Sequence, residues 1–323
     1  MQITPGAVRT LEDRFTKLYN TDYEAALANA WWDKLATLKT VEGSTNIYQF
    51  LLSSFDLAPL DDGQMVYSNM LTQSFSATNA DRGGGLKLKR NQIEDDEFGF
   101  AAEWAGQAGA AMALAPQYLL TPTVVNGAAT VNGLIIGGTT QNGYDGVPFF
   151  SASHPVNPFN TAMGTYANLY AGSSYALTIT SYAAAEAKLR GLVMPNGRNR
   201  NLKAKYLVVP STLRKVALEI TGAAFVSSTA QGGSTSNVFL SDGVEVIVAN
   251  ELDIEPDAWY LVADTGSGIG PFIYQLRKAF EMNSYTGMTL AELNRVNQFE
   301  WQIRGRDVAL YGHPYSMMKF VGH

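Results

Sequence analysis

The sequence predicts an α+β fold, and three observations predict it. Apolar residues recur at helical spacing near the N-terminus (Val8, Leu11, Phe15, Leu18, Tyr19) and in an alanine-rich segment from about Phe98 to Leu120. Phe272 to Met282 and Phe299 to Tyr311 read as a strand pair. In the second strand Phe299, Trp301 and Ile303 alternate with Glu300, Gln302 and Arg304, as on a half-buried sheet. Between these regions residues 180–263 alternate strands with short helices, an α/β-looking unit.

Composition sets the outer bounds. The chain has 323 residues, enough for one large domain or two smaller ones. With 46% hydrophobic and 16% charged residues it can build a packed core, which argues against global disorder. The absence of cysteine excludes disulfides and thiolate metal sites. Met1 to Tyr19 has no continuous apolar core, so no signal peptide is read there. The longest apolar stretch, within Phe98–Leu120, is broken by Glu103, Gln107, Pro116 and Gln117, and no membrane span is expected. A net charge of −6 fits ordinary solubility better than a grip on duplex DNA, which calls for basic surface. No internal repeat and no basic patch interleaved with aromatics is visible.

In chain order, Thr4-Pro5 starts a helix, with Pro at its first position. Thr21-Asp22-Tyr23-Glu24 reads as a capping box that starts a second helix to about Ala30. Trp31 and Trp32 cannot share a helix face; one belongs to the core, the other to the core or an interface. Asp61-Asp62-Gly63 is a turn, and Met65–Phe75 and Leu86–Ile93 read as two strands of one hairpin with Thr78–Gly85 as its polar glycine tip. Such an excursion is marginal alone and needs a neighbour.

Asn91 and Glu94 are spaced as a capping box, and Glu94, Asp95, Asp96 and Glu97 crowd the helix start that follows, where the dipole favours carboxylates. Phe100, Trp104, Ala108, Met112 and Ala115 run down one side of that helix, and Gly106 and Gly109 permit close approach of another element. Pro116 should kink or end it. Thr121–Gly143 reads as loop with short strands. Thr180/Ser181 caps a helix to about Arg190, stopped by Gly191. Lys205–Val209, Val244–Ala249 and Trp259–Ala263 are strands. Ser211 caps a helix whose apolar face is Leu213, Val216, Ala217 and Ile220. Val308 and Leu310 break the parity of the last long strand, which suggests a bulge near Gly305.

Candidate chemical sites are weak. The acidic run Glu94–Glu97 lacks a nearby histidine or second carboxylate cluster for a metal. Gly83-Gly84-Gly85 lacks the Lys-Ser/Thr of a phosphate loop, and Gly266–Gly270 has the wrong spacing for a dinucleotide fingerprint. Asp145, Ser151, Ser153 and His154 contain the residue types of a hydrolase. Yet no nucleophile elbow is present, and Asp145 and His154 are too close in sequence for the usual triad topology. The plainer reading makes Asp145-Gly146 a turn, buries Phe149 and Phe150, and has His154 tie a loop. No catalytic, cofactor or metal set is therefore assigned, and no enzyme activity is expected. An α/β enzyme, hydrolase-like or nucleotide-binding, stands as the alternative from another class.

Three pieces occur in order: Ile93-Glu94-Asp95-Asp96 after a strand, a long helix, and Asp145-Gly146-Val147-Pro148-Phe149-Phe150-Ser151-Ala152-Ser153-His154. This set resembles the major head subunit family of Mu-like tailed phages. The resemblance covers about Met65 to Gly322 and is strongest from Ile93 to Pro155. It implies a Hong Kong 97-type capsid fold: an N-terminal arm (1–64) lying on neighbouring subunits, an extended loop (65–93), a peripheral domain with a spine helix (94–179), an axial domain (180–270), peripheral strands (271–312) and a return to the axial domain (313–323). It implies a structural protein that self-assembles as hexamers and pentamers into an icosahedral head around double-stranded DNA, without sequence-specific binding. It further implies a portal, a maturation protease and a decoration protein as partners. An encapsulin-like cargo shell is the alternative within the fold.

Three expectations extend the resemblance. The mature parts account for the whole chain, so scaffolding is expected from a separate protein. The loop tip offers Arg82 but no lysine, so Lys–Asn crosslinks are not expected. The hairpin is expected to clamp a neighbour through Val66, Met70, Leu71 and Phe75, with Arg82 and Lys87 reaching Glu94, Asp95, Asp96 and Glu97 of the adjacent subunit.

Overall fold

The computed structural model describes residues 5–51, 72–89, 91–92, 95, 100–125, 142–227, 234–266, 268–285 and 298–322. The chain opens with α1 (Pro5–Leu27), which is one helix rather than the expected two. Thr21 does not cap a new start. Its Oγ1 donates back to Lys17 O at 2.9 Å, the in-helix bond threonine makes when a helix runs through. A single turn, α2 (Trp32–Leu35), leads into β1 (Ala36–Thr40). Both tryptophans belong to the core: Trp31 is buried, and half-buried Trp32 lies 5.3 Å from the Tyr274 ring.

The expected hairpin pairing is overturned. β2 (Thr45–Leu51), which the sequence left unassigned, pairs antiparallel with β3 (Thr72–Thr78). β4 (Ala80–Lys89) runs straight through the supposed glycine tip. Only Asn79 separates β3 from β4, too short a link for the two to fold back on each other. The glycines serve proximity rather than turning: a Cβ on Gly83 would lie 2.7 Å from Ile303 O, and one on Gly85 2.9 Å from Trp301 O. Val66, Met70 and Leu71 lie outside the described residues, as do Glu94, Asp96 and Glu97.

The alanine-rich segment forms α3 (Phe100–Ala113) and α4 (Ala115–Val125), separated at Leu114 just ahead of Pro116. The break is where proline requires it. Helix continues through the start of the expected loop, because Thr121 and Thr123 return their hydroxyls to Gln117 O and Leu119 O.

Short pieces follow: β5 (His154–Pro155), β6 (Thr165–Tyr166) and β7 (Leu169–Ala171). Then come α5 (Ile179–Arg190), β8 (Ala204–Val209), α6 (Arg214–Gly222), β9 (Phe225–Ser227), β10 (Ser234–Ser236), β11 (Glu245–Val248) and β12 (Ala258–Ala263). The N-cap of α5 is Thr178, which shares a reciprocal capping box with Ser181, and Gly191 ends the helix. Two long strands, β13 (Phe272–Tyr285) and β14 (Gln298–Tyr311), and then β15 (Met317–Val321) complete the fold.

Two sheets organise these elements. One is five-stranded, β11-β8-β12-β15-β7, with a core of Trp259, Leu261, Leu207, Val209 and Phe320 under α5 and α6. The other is four-stranded, β1-β13-β14-β4. Strand β14 keeps its alternation through Asp307, so the bulge is not at Gly305. The register shifts lie on its partner β13, between Leu276 and Glu281. Gly305 matters in another way: a Cβ there would sit 2.6 Å from the Phe280 ring, which occupies that space. From Val308 onward both faces are covered, which accounts for the parity change seen in sequence.

Helix α1 packs along α3. Phe15 is fully buried, 4.7 Å from the Trp301 ring, in a cluster with Ala105 and Phe299. Full burial of one such aromatic contributes about 1.5–3 kcal/mol. The helices meet at a notch that holds no side chains of α3. A Cβ on Gly109 would lie 2.2 Å from Tyr19 O, and one on Gly106 would lie 2.0 Å from an Asp22 carboxylate oxygen. The buried face of α3 is thus the small-residue side, because α1 fills it.

A Gly109→Ala change separates the two influences. Helix propensity alone would raise stability by about 1 kcal/mol. The clash with Tyr19 O is expected to outweigh this and lower stability by about 1–3 kcal/mol in urea unfolding. A stabilised variant would mean the helices are not held at this separation.

Candidate functional site

Three constellations hold the functional candidates. The first is the Asp145–His154 segment. Here the backbone makes a tight turn at Gly146, which has φ of 82°. His154 Nδ1 lies 2.6 Å from Asp145 Oδ2, and both residues bury their side chains. His154 Nε2 faces Phe149 O and Asn168 Oδ1, each at 3.1 Å. The Asn168 amide is fixed, because its Nδ2 donates to Phe149 O at 2.7 Å and to Pro314 O at 2.9 Å, while Oδ1 accepts from Ser151 N at 2.8 Å. Nε2 therefore meets only acceptors and is a donor. Tyr166 stacks on the imidazole at 5.1 Å.

This arrangement ties rather than reacts. A nucleophilic serine would sit on Nε2, and that nitrogen is spent on a backbone carbonyl. Ser151 Oγ instead accepts from Ser153 N at 3.2 Å. Phe149 and Phe150 are buried and join Tyr311, Phe272 and Tyr260 in the central core. Sequence reasoning missed Asn168, which joins this segment to Pro314 from 146 positions away. Nothing in its neighbourhood, Tyr166-Ala167-Asn168-Leu169, marks it apart from any loop asparagine.

The second constellation is the root of the β2–β3 ribbon. Asn79 donates to Gly43 O and Ser44 O, and its Oδ1 accepts from Gln275 Nε2 at 2.7 Å. Gln275 in turn accepts from Tyr48 OH at 2.6 Å. Phe50 is buried against Tyr144, with ring centres 4.5 Å apart, and edge-on to His313 at 5.1 Å. Phe75 is half-buried on the same cluster and so faces its own subunit. The outward face carries Ile47 and Leu51, 68% and 57% exposed, and neither described strand contains a charged residue.

The third concerns the expected clamp cations. Arg82 Nε lies 2.9 Å from Asp307 Oδ1, a fully buried carboxylate, in a contact too bent to count as a hydrogen bond. Tyr274 OH donates to the other oxygen at 2.9 Å. Lys87 pairs with Glu300 across β4 and β14 at 2.8 Å. Both cations are thus held within their own subunit, against the expected reach toward a neighbour. Cross-strand position explains it: with β4 paired to β14, Lys87 lies directly opposite Glu300 and Arg82 lies diagonally from Asp307, partners that sequence separation concealed. Asp95 is exposed.

Two titrating groups at these sites are perturbed in ways that bear on stability. Burial pushes the Asp307 carboxyl up, opposed by Arg82 and the Tyr274 hydroxyl. Burial, with the Arg200 charge second, pushes His313 down from 6.5 to about 4.

Comparison with known proteins places these features. The profile of the family described as Mu-like prophage major head subunit gpT matches residues 8–177 and 234–319. The major capsid protein of Escherichia phage Mu is 26% identical over 170 residues, 52% of this chain and 50% of its own length. The chain thus spans about half the length of this curated relative. The structure titled procapsid of bacteriophage JBD30 aligns with a TM-score of 0.53 at 20% identity, covering 99% of this chain and 77% of that one. The capsid structure of the cyanophage P-SCSP1u aligns with a TM-score of 0.54 at 11% identity, covering 90% and 86%. At such identities the likeness is one of fold, and the fold is the Hong Kong 97-type capsid fold.

Two outcomes are expected here. Arg82→Ala leaves Asp307 buried without its cation and should destabilise the protein by about 3 kcal/mol at neutral pH. Because the folded carboxyl already holds its proton more tightly than the unfolded one, the loss should shrink toward acid pH and grow as pH rises, measured by urea unfolding across pH. His313 has the opposite sign. Between pH 6.5 and about 4 the unfolded state binds this proton and the folded state does not, so stability falls as pH falls through that window. His313→Gln should make the decline shallower; an unchanged slope would show that His313 is not its source.

Proposed function

This chain belongs to the Mu-like prophage major head subunit gpT family, and from that premise we propose that it is the major capsid protein of a tailed phage. Many copies assemble as hexamers and pentamers into an icosahedral head that encloses double-stranded DNA, and the subunit resides in the virion. The observation that carries this reading is the family match on both sides of residues 178–233, across both sheets. The Asp145–His154–Asn168 knot is in keeping with a structural protein, since His154 Nε2 faces Phe149 O and Asn168 Oδ1 rather than a serine hydroxyl.

Within this reading the five-stranded sheet with α5 and α6 serves as the axial domain, α3–α4 as the spine, and α1 as part of the arm. The extended loop is the ribbon of β2 and β3, not the pair first expected. Its contribution to neighbours is apolar and uncharged, through the outward face of Ile47 and Leu51. An uncharged, exposed ribbon with open edges is a surface that soluble proteins usually protect with charge. A separate scaffold, a maturation protease, a portal and a decoration protein belong to the same proposal, as does the absence of Lys–Asn crosslinks.

Purified protein viewed by negative-stain electron microscopy should show shells or capsomers; a small discrete oligomer under all assembly conditions would overturn the reading. Ile47→Asp should leave unfolding stability within about 0.5 kcal/mol, as for exposed positions generally, yet abolish shells. Normal shells from this variant would remove the ribbon from the contact.

A further inference from the structure

Beside the ribbon root lies a cavity of about 100 Å³ lined by Tyr144, Tyr166, Tyr315 and Arg200 together with the apolar Val156 and Met194. Arg200 is half-buried. Its Nε donates to Val193 O at 3.0 Å, and its guanidinium lies over the Tyr315 ring, 3.9 Å from the centre. Burial raises the Tyr315 hydroxyl, and the charge and a hydrogen bond of Arg200 oppose that rise. Among the described residues no carboxylate pairs with Arg200. The neighbouring acid, Asp145, is committed to His154 at 2.6 Å. A half-buried guanidinium without a counter-charge loses part of its hydration and gains no anion in return.

The remaining polar atoms are of one kind. The rings of Tyr144 and Tyr166 line the same cavity, beside Arg200 and Tyr315. Burial pushes both hydroxyls up, so at neutral pH they are neutral O–H donors. The cavity thus presents a planar cation and two phenolic donors, and Asn168, the nearby acceptor, is saturated. The same uncompensated charge contributes to holding His313 neutral. The space fits a carboxylate with an adjacent methylene, and it is far too small for a nucleotide, because ligand pockets for drug-sized molecules run to about 300–1,000 Å³.

We propose that this cavity is a carboxylate-binding site that takes an acidic group of a partner peptide, either the carboxylate of a Glu or Asp residue or the terminal carboxylate. Arg200 supplies the planar fork that pairs with the two carboxylate oxygens, Tyr144 and Tyr166 donate to the same oxygens, and Val156 and Met194 receive the methylene. Among the described residues no acid of this protein fills that role. The inference stands on the single subunit and does not depend on the shell reading.

The test uses the full-length protein and small probes, with binding followed by chemical-shift changes of labelled tyrosine and arginine residues at constant ionic strength. N-acetyl-glutamate amide represents an acidic residue, N-acetyl-alanine a terminal carboxylate, N-acetyl-glutamine amide the neutral control, and inorganic phosphate a rival oxyanion. Saturable shifts at Tyr144 and Tyr166 with either carboxylate, but not with the glutamine probe, are expected; which carboxylate binds more tightly tells the two sources apart. Arg200→Gln should weaken binding by at least about tenfold, the loss of one charge-assisted hydrogen bond. Tyr166→Phe, which leaves the cation in place, should weaken it less and keeps the test valid should the arginine variant fail to fold. Equal response to the glutamate and glutamine probes, response to phosphate alone, or binding undiminished in the variants would each overturn the assignment.

Discussion

Strand β14 is covered on one face along its first half and on both faces from Val308 onward, and the other elements are arranged around it. Its odd-numbered residues Phe299 and Trp301 lie under α1 and α3, while Ala309 and Tyr311 enter the central core with Phe149, Phe150 and Tyr260. On the opposite face Val308 and Leu310 are capped by the ribbon root, through Phe50 and Ala77. An ordinary antiparallel strand needs one apolar partner layer; this one recruits the N-terminal helix, the ribbon and the five-stranded sheet in turn. Asp307 sits where these coverings meet, which is why its carboxylate needs both Arg82 and Tyr274. Removing any covering element exposes a different stretch of the same strand, so the fold has one shared backbone rather than independent lobes.

Much of this architecture was legible in sequence, and what escaped notice has common physical causes. The long strands, the helix after Ala176, the stop at Gly191 and three strands of the five-stranded sheet (β8, β11 and β12) declare themselves through period and local turn chemistry, which act within a few residues. The ribbon did not. Thr45–Leu51 carries Asn46, Gln49 and an exposed Ile47, so no alternation of polarity separates its faces clearly. Glycines at 83–85 imitate a turn when read alone, and become intelligible only against the carbonyls of Trp301 and Ile303. The same non-locality hid the site. Arg82 looked available because Asp307 is distant in sequence, and the His154 tie looked like a two-residue motif because Asn168 and Pro314 arrive from elsewhere. Arg200 carried no signal at all, since its partners Val193 and Tyr315 are brought to it by the fold.

The division of polar groups between structure and exchange is sharp. Arg82, Lys87, Arg306 and Lys319 are consumed by partners within the subunit, the last by Glu255 at 2.6 Å, with the lysine almost fully buried. Two features stand apart from these pairs among the described residues, the uncharged outer face of the ribbon and the half-buried Arg200 near its root. Charges buried inside fix geometry, while apolar contact at the outside can be repeated many times without setting up long-range repulsion between acidic subunits of net charge −6.

The Asn79 lock gives the ribbon a mechanical character. Its root is not a loose hinge, because Asn79 holds Gly43 and Ser44 on one side and Gln275 on the other, while Tyr48 braces Gln275 from the ribbon itself. Gln275 belongs to β13 and lies one residue before the register-shifted stretch between Leu276 and Glu281. That stretch is where the ladder has slack, since shifted positions lack regular cross-strand bonds. The ribbon is thus anchored to the long strand β13 by hydrogen bonds at its root, immediately before the stretch in which that strand's pairing is irregular.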